Sequence, residues 1–178
     1  MNQNITYCIQ IDVDLKAEKK EFRVGGLVML ARYNGKVLNI PAPWDNPEPP
    51  KVEDFKGRIT IIFNHQVIAR ANRAKRVIEA HFASTFFLPV EAIQGASLVG
   101  TDGLCWCNWR GKGQYFDVVV PGFRAKKGAW QYPSPGPGFE ALKNHVAFDA
   151  SRMDGCFIDG HKVKEMSGIH GGWILDQV

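Results

Sequence analysis

Long apolar runs are missing from this 178-residue chain, and nothing approaches the roughly 18 consecutive apolar residues of a membrane-crossing helix. Charge of one sign is equally scarce. Lys and Arg total 22 against 18 Asp and Glu, a formal net charge of +4, which falls short of the dense basic stripe of a nucleic-acid binder. Cysteine is limited to Cys8, Cys105, Cys107 and Cys156, and Asn2, Gln3, Asn4, Asp12 and Asp14 interrupt any secretory apolar segment. Reduced thiols in a cytoplasmic protein are the expectation. Also absent are the phosphate-binding G-x-x-x-x-G-K-S/T loop, a dinucleotide fingerprint, H-E-x-x-H and G-x-S-x-G, so no cofactor is expected.

What is present is short-period hydrophobicity. Hydrophobic residues make up 45% and charged residues 22%, the balance of a globular chain. From Ile5 to Val13 the apolar residues alternate, as a half-buried strand requires. Phe22 to Tyr33 and Lys36 to Ile40 flank Asn34-Gly35, a dipeptide suited to a tight hairpin turn, and Gly25-Gly26 marks a bulge or bend. Five prolines between Pro41 and Pro50 then rule out a central strand or helix. The expected division is therefore an N-terminal β-hairpin region with a Pro-rich linker over 1–50, and a main domain with a C-terminal tail over 51–178.

In the main domain a strand pattern starts at Arg58, turns at Asn64-His65 and returns over Gln66 to Arg70. Asn72 to Ala80 suits either a short helix or a strand. Thr85 to Leu88 is β-prone, and one helical turn follows Pro89. Leu104 to Trp109 and Gln114 to Val120 pair across Arg110-Gly-Lys-Gly113. A brief helix over Phe139 to Asn144 precedes strands at His145 to Phe148 and Cys156 to Ile158, with a turn at Asp159-Gly160. Short strands with frequent Gly and Pro and no long helical period point to a mainly β fold with short helices.

Several motifs carry chemistry, each beside a plainer reading. Cys105-Trp-Cys107 would place two thiols on one face of a strand, where zinc could bind if Cys8 or Cys156 and a histidine converged; buried small hydrophobes are the favoured alternative, and no metal is expected. Arg110-Gly-Lys-Gly113 could cradle an anion or serve as an exposed turn. Arg70, Arg73, Lys75 and Arg76 form the most basic stretch, best read as a solvated face. The histidines His65, His81, His145, His161 and His170 are scattered. Glu79 and His81, two apart, would share one face of a strand and could act as an acid/base pair. Rings concentrate between Trp106 and Phe148, and Trp109, Tyr115, Trp130 and Tyr132 are candidates to line a ligand pocket.

Four pieces in order carry a family resemblance: Val77-Ile-Glu79 leading to Thr85-Phe-Phe-Leu-Pro89, then Cys107-Asn-Trp-Arg-Gly-Lys-Gly-Gln-Tyr-Phe116, Ala129-Trp-Gln-Tyr-Pro-Ser-Pro135 and His145-Val-Ala-Phe148. This segment resembles domain of unknown function family 427. Gly171-Gly-Trp-Ile174 looks like a tail found in some longer members. The resemblance implies a β-tent, two antiparallel sheets packed at an angle and pinned at the top. Zinc-containing relatives of that fold carry paired C-x-x-C ligands, which are absent here. A nucleotidyltransferase label attached to the family finds neither an acidic Mg²⁺ pair nor a triphosphate loop in these residues.

The resulting expectation is a protein for a compact organic molecule held by Trp109, Tyr115, Trp130, Tyr132 and Lys112. Glu79, His81 and Arg110 would perform metal-free acid/base work of the isomerase, cyclase or dehydratase (lyase) type in metabolism. The alternatives are a non-catalytic protein-interaction module and, less favoured, nucleotide or RNA handling through Arg70, Arg73, Lys75, Arg76, Arg110 and Lys112. No membrane partner is expected, and a homo-oligomer is left open.

Overall fold

The computed structural model describes residues 31–33, 36–38, 49–79, 82–107, 109–166 and 171–175. Strands β1 (Ala31–Tyr33) and β2 (Lys36–Leu38) pair antiparallel with Arg32 opposite Val37, a separate two-stranded sheet. The pairing agrees with a hairpin about Asn34-Gly35, but that dipeptide, the strand expected at Ile5 to Val13, Gly25-Gly26 and most of the Pro-rich linker lie outside the described residues.

Strand β3 (Lys51–Phe63) begins seven residues before the alternation from Arg58 suggests, because in its first half Lys51, Glu53, Asp54 and Lys56 are exposed on both faces and blur the apolar period. Asn64 and His65, with φ of 49° and 60°, make the two-residue left-handed turn that matches strand twist. They lead into β4 (Gln66–Glu79). The stretch from Asn72 that sequence leaves open between helix and strand is strand. It pairs on both sides, with Lys75 opposite Asp54 of β3 and opposite Phe87 of β5 (Phe82–Pro89).

After β5 a 3-10 turn over Val90–Ala92 leads to β6 (Ser97–Cys107). Strand β7 (Gly111–Val120) returns from a turn at Trp109-Arg110, so Gly111 and Gly113 are strand residues, contrary to both loop readings of Arg110 to Gly113. Packing decides this, since a Cβ at Gly113 would fall 2.3 Å from the Cys105 sulfur. Strand β8 (Phe123–Gln131) gives little sequence signal, as Phe123-Arg-Ala-Lys-Lys-Gly128 lacks β-branched residues. Its bend at Lys127, φ 49°, is held by Asp117, whose carboxylate accepts from the Lys127 amide at 2.8 Å and from Arg124 at 2.9 Å.

The expected helix at 139–144 reduces to a 3-10 turn, Glu140–Leu142. Strand β9 (His145–Phe148) follows, then a 3-10 turn at Ala150–Arg152, β10 (Gly155–Ile158), β11 (His161–Glu165) and β12 (Trp173–Leu175). Apart from β1 and β2, the described strands make one antiparallel sheet of ten that does not close, in the order β12-β11-β10-β3-β4-β5-β9-β8-β7-β6.

Strands β5 and β9 sit in the middle and are buried on both faces. Phe86, Leu88, Val146 and Phe148 point into one apolar cluster with Ile59, Ile61, Ile68 and Val118. Their neighbours Phe87 and Ala147 point into a second cluster with Val77, Cys105, Cys107, Tyr115, Trp130 and Tyr132. A run without alternation is what double-sided burial demands. The C-terminal tail seals the first cluster. Trp173 stacks on Phe86 at 5.5 Å and donates its Nε1 hydrogen to the Phe148 carbonyl at 3.1 Å. Gly171, φ 57°, lies so close to the Trp130 ring that a Cβ would meet it at 2.4 Å.

Phe87 is fully buried and faces Trp130 and Tyr132 at 6.3 and 6.1 Å. Phe87→Ala is expected to cost about 3–5 kcal/mol, because the strand pairing around it prevents collapse of the cavity. Urea denaturation measures this directly.

Candidate functional site

The last residue of β4, Glu79, and the turn after β6 are brought to the same end of the molecule. There an Arg110 Nη1 hydrogen is donated to Oε1 of Glu79 in a close ion pair, with only 4% of the Arg110 and 10% of the Glu79 side chain exposed. Tyr132, just beyond β8, lies beneath the guanidinium, its ring centre 5.6 Å from the Arg110 Cζ. The backbone around Arg110 is also fixed: its amide donates to the Cys107 sulfur at 3.4 Å, and its carbonyl accepts from Gly136 at 3.0 Å. The Pro/Gly-rich segment after Tyr132 thus clamps the turn that aims the guanidinium.

Burying two charges costs several kcal/mol per ion before their attraction repays it, so this pair is held by enclosure rather than by any large net stabilisation. The Tyr132 face adds a cation–π contact. Beside it, burial pushes the Cys105 thiol from its ordinary 9.0 to about 11, against the opposing pull of Arg110 and of the neighbouring Tyr132 hydroxyl. Cys105 and Cys107 share one face, as C-x-C spacing in a strand requires. Cys156 lies in the other cluster, its thiol pushed up by burial and then by Asp149, and Cys8 is outside the described residues. Among the described residues, no third metal-binding side chain joins Cys105 and Cys107.

Of the candidate site residues, Glu79, Arg110 and Tyr132 meet. Tyr115 and Trp130 are buried in the same cluster, and Trp109 is half-buried against it. Lys112 does not join them. Alternation along β7 turns it away from Gly113 and Tyr115 to the opposite face, where it lines a shallow depression of about 230 Å³ with Leu104, Gln114, Pro133 and Ser134. His81 lies outside the described residues, so its pairing with Glu79 has no structural counterpart here. The basic stretch divides: Lys75 pairs with Asp54 and Arg76 donates to Ser84 Oγ at 2.9 Å, while Arg70 and Arg73 face outward.

Sequence reasoning missed the two thiols as neighbours of Arg110 and Phe87 as a neighbour of Tyr132. The period-2 spacing of Cys105 and Cys107 was the available signal for the thiols. It also missed a second acidic locus, where burial and then neighbouring Asp149 push the Glu165 carboxyl up. Asp149 there accepts from Ser151 Oγ at 2.6 Å and Arg152 Nε at 2.9 Å.

Chemically, the Glu79–Arg110–Tyr132 group offers a carboxylate that can take up and return a proton, a fixed cation for a developing negative charge, and an aromatic floor. Arg110→Met, which leaves Glu79 enclosed without its cation, is expected to destabilise the fold by about 3–5 kcal/mol, and Arg110→Met with Glu79→Leu to recover most of that loss. Chemical denaturation of the three proteins checks the cycle. The folded Cys105 thiol holds its proton more tightly than an exposed one. Its share of stability is therefore intact below pH 9.0 and lost as pH rises through about 11. Denaturation across that range should show a fall in wild type that is shallower in Cys105→Ala.

No curated protein matches the chain. Residues 51–159, which run from the start of β3 to the turn after β10 and include Glu79, Arg110 and Tyr132, match the family model described as a domain of unknown function, DUF427. That match spans more than half of the chain, which therefore belongs to the DUF427 family.

Proposed function

We propose that this protein binds a compact organic molecule at the Glu79–Arg110–Tyr132 end of the sheet and performs acid/base chemistry on it, of the isomerase, cyclase or lyase type. Glu79 carries the proton, Arg110 anchors a negatively charged group, and Trp109 with Tyr132 bounds the apolar part. The observation that carries the reading is the enclosed ion pair itself. Such a pair is poor value as a stabilising device, since apolar residues of similar volume would serve as well, whereas a positioned carboxylate and cation are what proton transfer next to an anion needs. Glu79 retains the access that a substrate requires, with a tenth of its side chain exposed.

The frame suited to this role is a β-tent, and three features support that arrangement. The sheet carries separate apolar clusters on its two faces. Register shifts at Gly100/Leu104 and Phe116/Val118, where β6 and β8 carry the extra residues, provide bends in β6 and β8. The lead into β6 returns to β4, with Ala69 bridging Ile93 and the Ile68 carbonyl accepting from Gln94 and Gly95 at 3.0 and 3.1 Å. Strands far apart in the ladder are thereby pinned together.

Native mass spectrometry of freshly purified protein should reveal a retained organic molecule, and both Glu79→Gln and Arg110→Lys should lose it while keeping a cooperative melting transition. Retention of the same molecule by both folded variants would remove these residues from the site.

A further inference from the structure

A second feature lies away from this ion pair, on the outward face of β10, β3 and β4. Arg58, Thr60, Ile62, Arg70, Phe157 and Gly160 surround an open groove of about 450 Å³, within the size range of small-ligand sites. The pairing register explains how they meet. Thr60 is the direct partner of Phe157 on one side and of Arg70 on the other, so the three form a row across three strands. Arg58 and Ile62, two residues either side of Thr60, share its face by the period of a strand.

Among the described residues, the two guanidiniums of this groove have no carboxylate paired with them. Arg58 and Arg70 stand diagonally across β3 and β4, an arrangement in which like charges repel. Neither side chain makes an ion pair or hydrogen bond among the described residues. The nearby Asp159 carboxylate is turned to the backbone instead, accepting from the Arg58 amide at 2.7 Å. Lys162, opposite Phe157, is likewise engaged, donating to the Asp154 carbonyl at 2.8 Å. Two guanidiniums set diagonally on neighbouring strands, each without a partner among the described residues, match a dianion better than a single carboxylate.

Beside the cations the surface is apolar and flat. The Phe157 ring lies along its own strand over Gly155, where an added Cβ would fall 2.7 Å from the ring edge. A glycine at 155 therefore leaves room for the ring to lie flat and present a face. Ile62 extends this floor, and Thr60 supplies a hydroxyl between the floor and Arg70.

We propose that this groove binds a phosphate monoester of a planar ring, the phosphate between Arg58 and Arg70 and the ring over Phe157 and Ile62. The site is independent of Glu79 and Arg110. Phenyl phosphate, adenosine 5′-monophosphate and inorganic phosphate, titrated into the ¹⁵N-labelled full chain, separate the two halves of the claim. Both esters are expected to shift the amides of Thr60, Arg70, Phe157 and Gly160, with inorganic phosphate about tenfold weaker or more. Arg70→Gln, an exposed change that leaves the core intact, should weaken ester binding by about tenfold, and Phe157→Leu should weaken the esters while leaving inorganic phosphate unchanged. The proposal is overturned if inorganic phosphate binds as well as the esters, if Arg70→Gln binds like wild type, or if millimolar ester shifts none of these amides. Equal binding by both esters assigns recognition to the shared phosphate and ring, and binding by the adenosine ester alone overturns a site for planar rings in general.

Discussion

The constraint on which the fold depends is the burial of β5 and β9 on both faces. Thr85, Phe86, Phe87 and Leu88 are all buried, as are Val146, Ala147 and Phe148, so each strand needs apolar cover above and below. One cover comes from β3, β4, β10 and the Trp173 tail, and the other from the Cys105, Tyr115, Trp130 and Tyr132 side of β6, β7 and β8. Removing either would expose a row of large side chains, each worth roughly 1.5–3 kcal/mol of burial. The ten-stranded ladder and the return of the β6 lead-in to β4 both follow from supplying those two covers.

The same constraint produces the ion pair. The second cluster ends where β4 stops at Glu79 and where the chain turns at Arg110, so the apolar layer closes over two side chains that could not remain there singly. Charge here depends on packing: without Tyr132, Phe87 and the clamped 133–136 segment the guanidinium would be hydrated and the pair would weaken to an ordinary surface contact. On the outer face of β3 and β4 the opposite holds. Arg58 and Arg70 stay exposed because none of the described residues covers that face, and their proximity is set by strand register.

Sequence patterning succeeded where a strand has one wet face or a turn has a distinctive dipeptide. The hairpin at Asn64-His65, the turn at Asp159-Gly160 and strand β9 at His145–Phe148 are where the residues place them. It faltered where tertiary contacts override local signals. Strand β8 has lysines and a glycine in place of β-branched residues and is held by pairing to β7 and β9. Gly111 and Gly113 look like a loop, yet they are in β7 because the Cys105 sulfur and the Tyr132 ring leave no room for a Cβ at residue 113.

By itself the sequence determined the mainly β character, the family and the separate candidacies of Glu79, Arg110 and Tyr132, since composition, period-2 alternation and ordered short motifs are local properties of the chain. Which candidates meet was decided only by the tertiary structure. Glu79 and Arg110 are 31 residues apart and touch through two strand ends, while Lys112, two residues from Arg110, is turned away by the alternation of β7. A strand reverses its side chains at every step, so closeness in sequence does not give closeness in space. The partners of β4 and β7 across the sheet do.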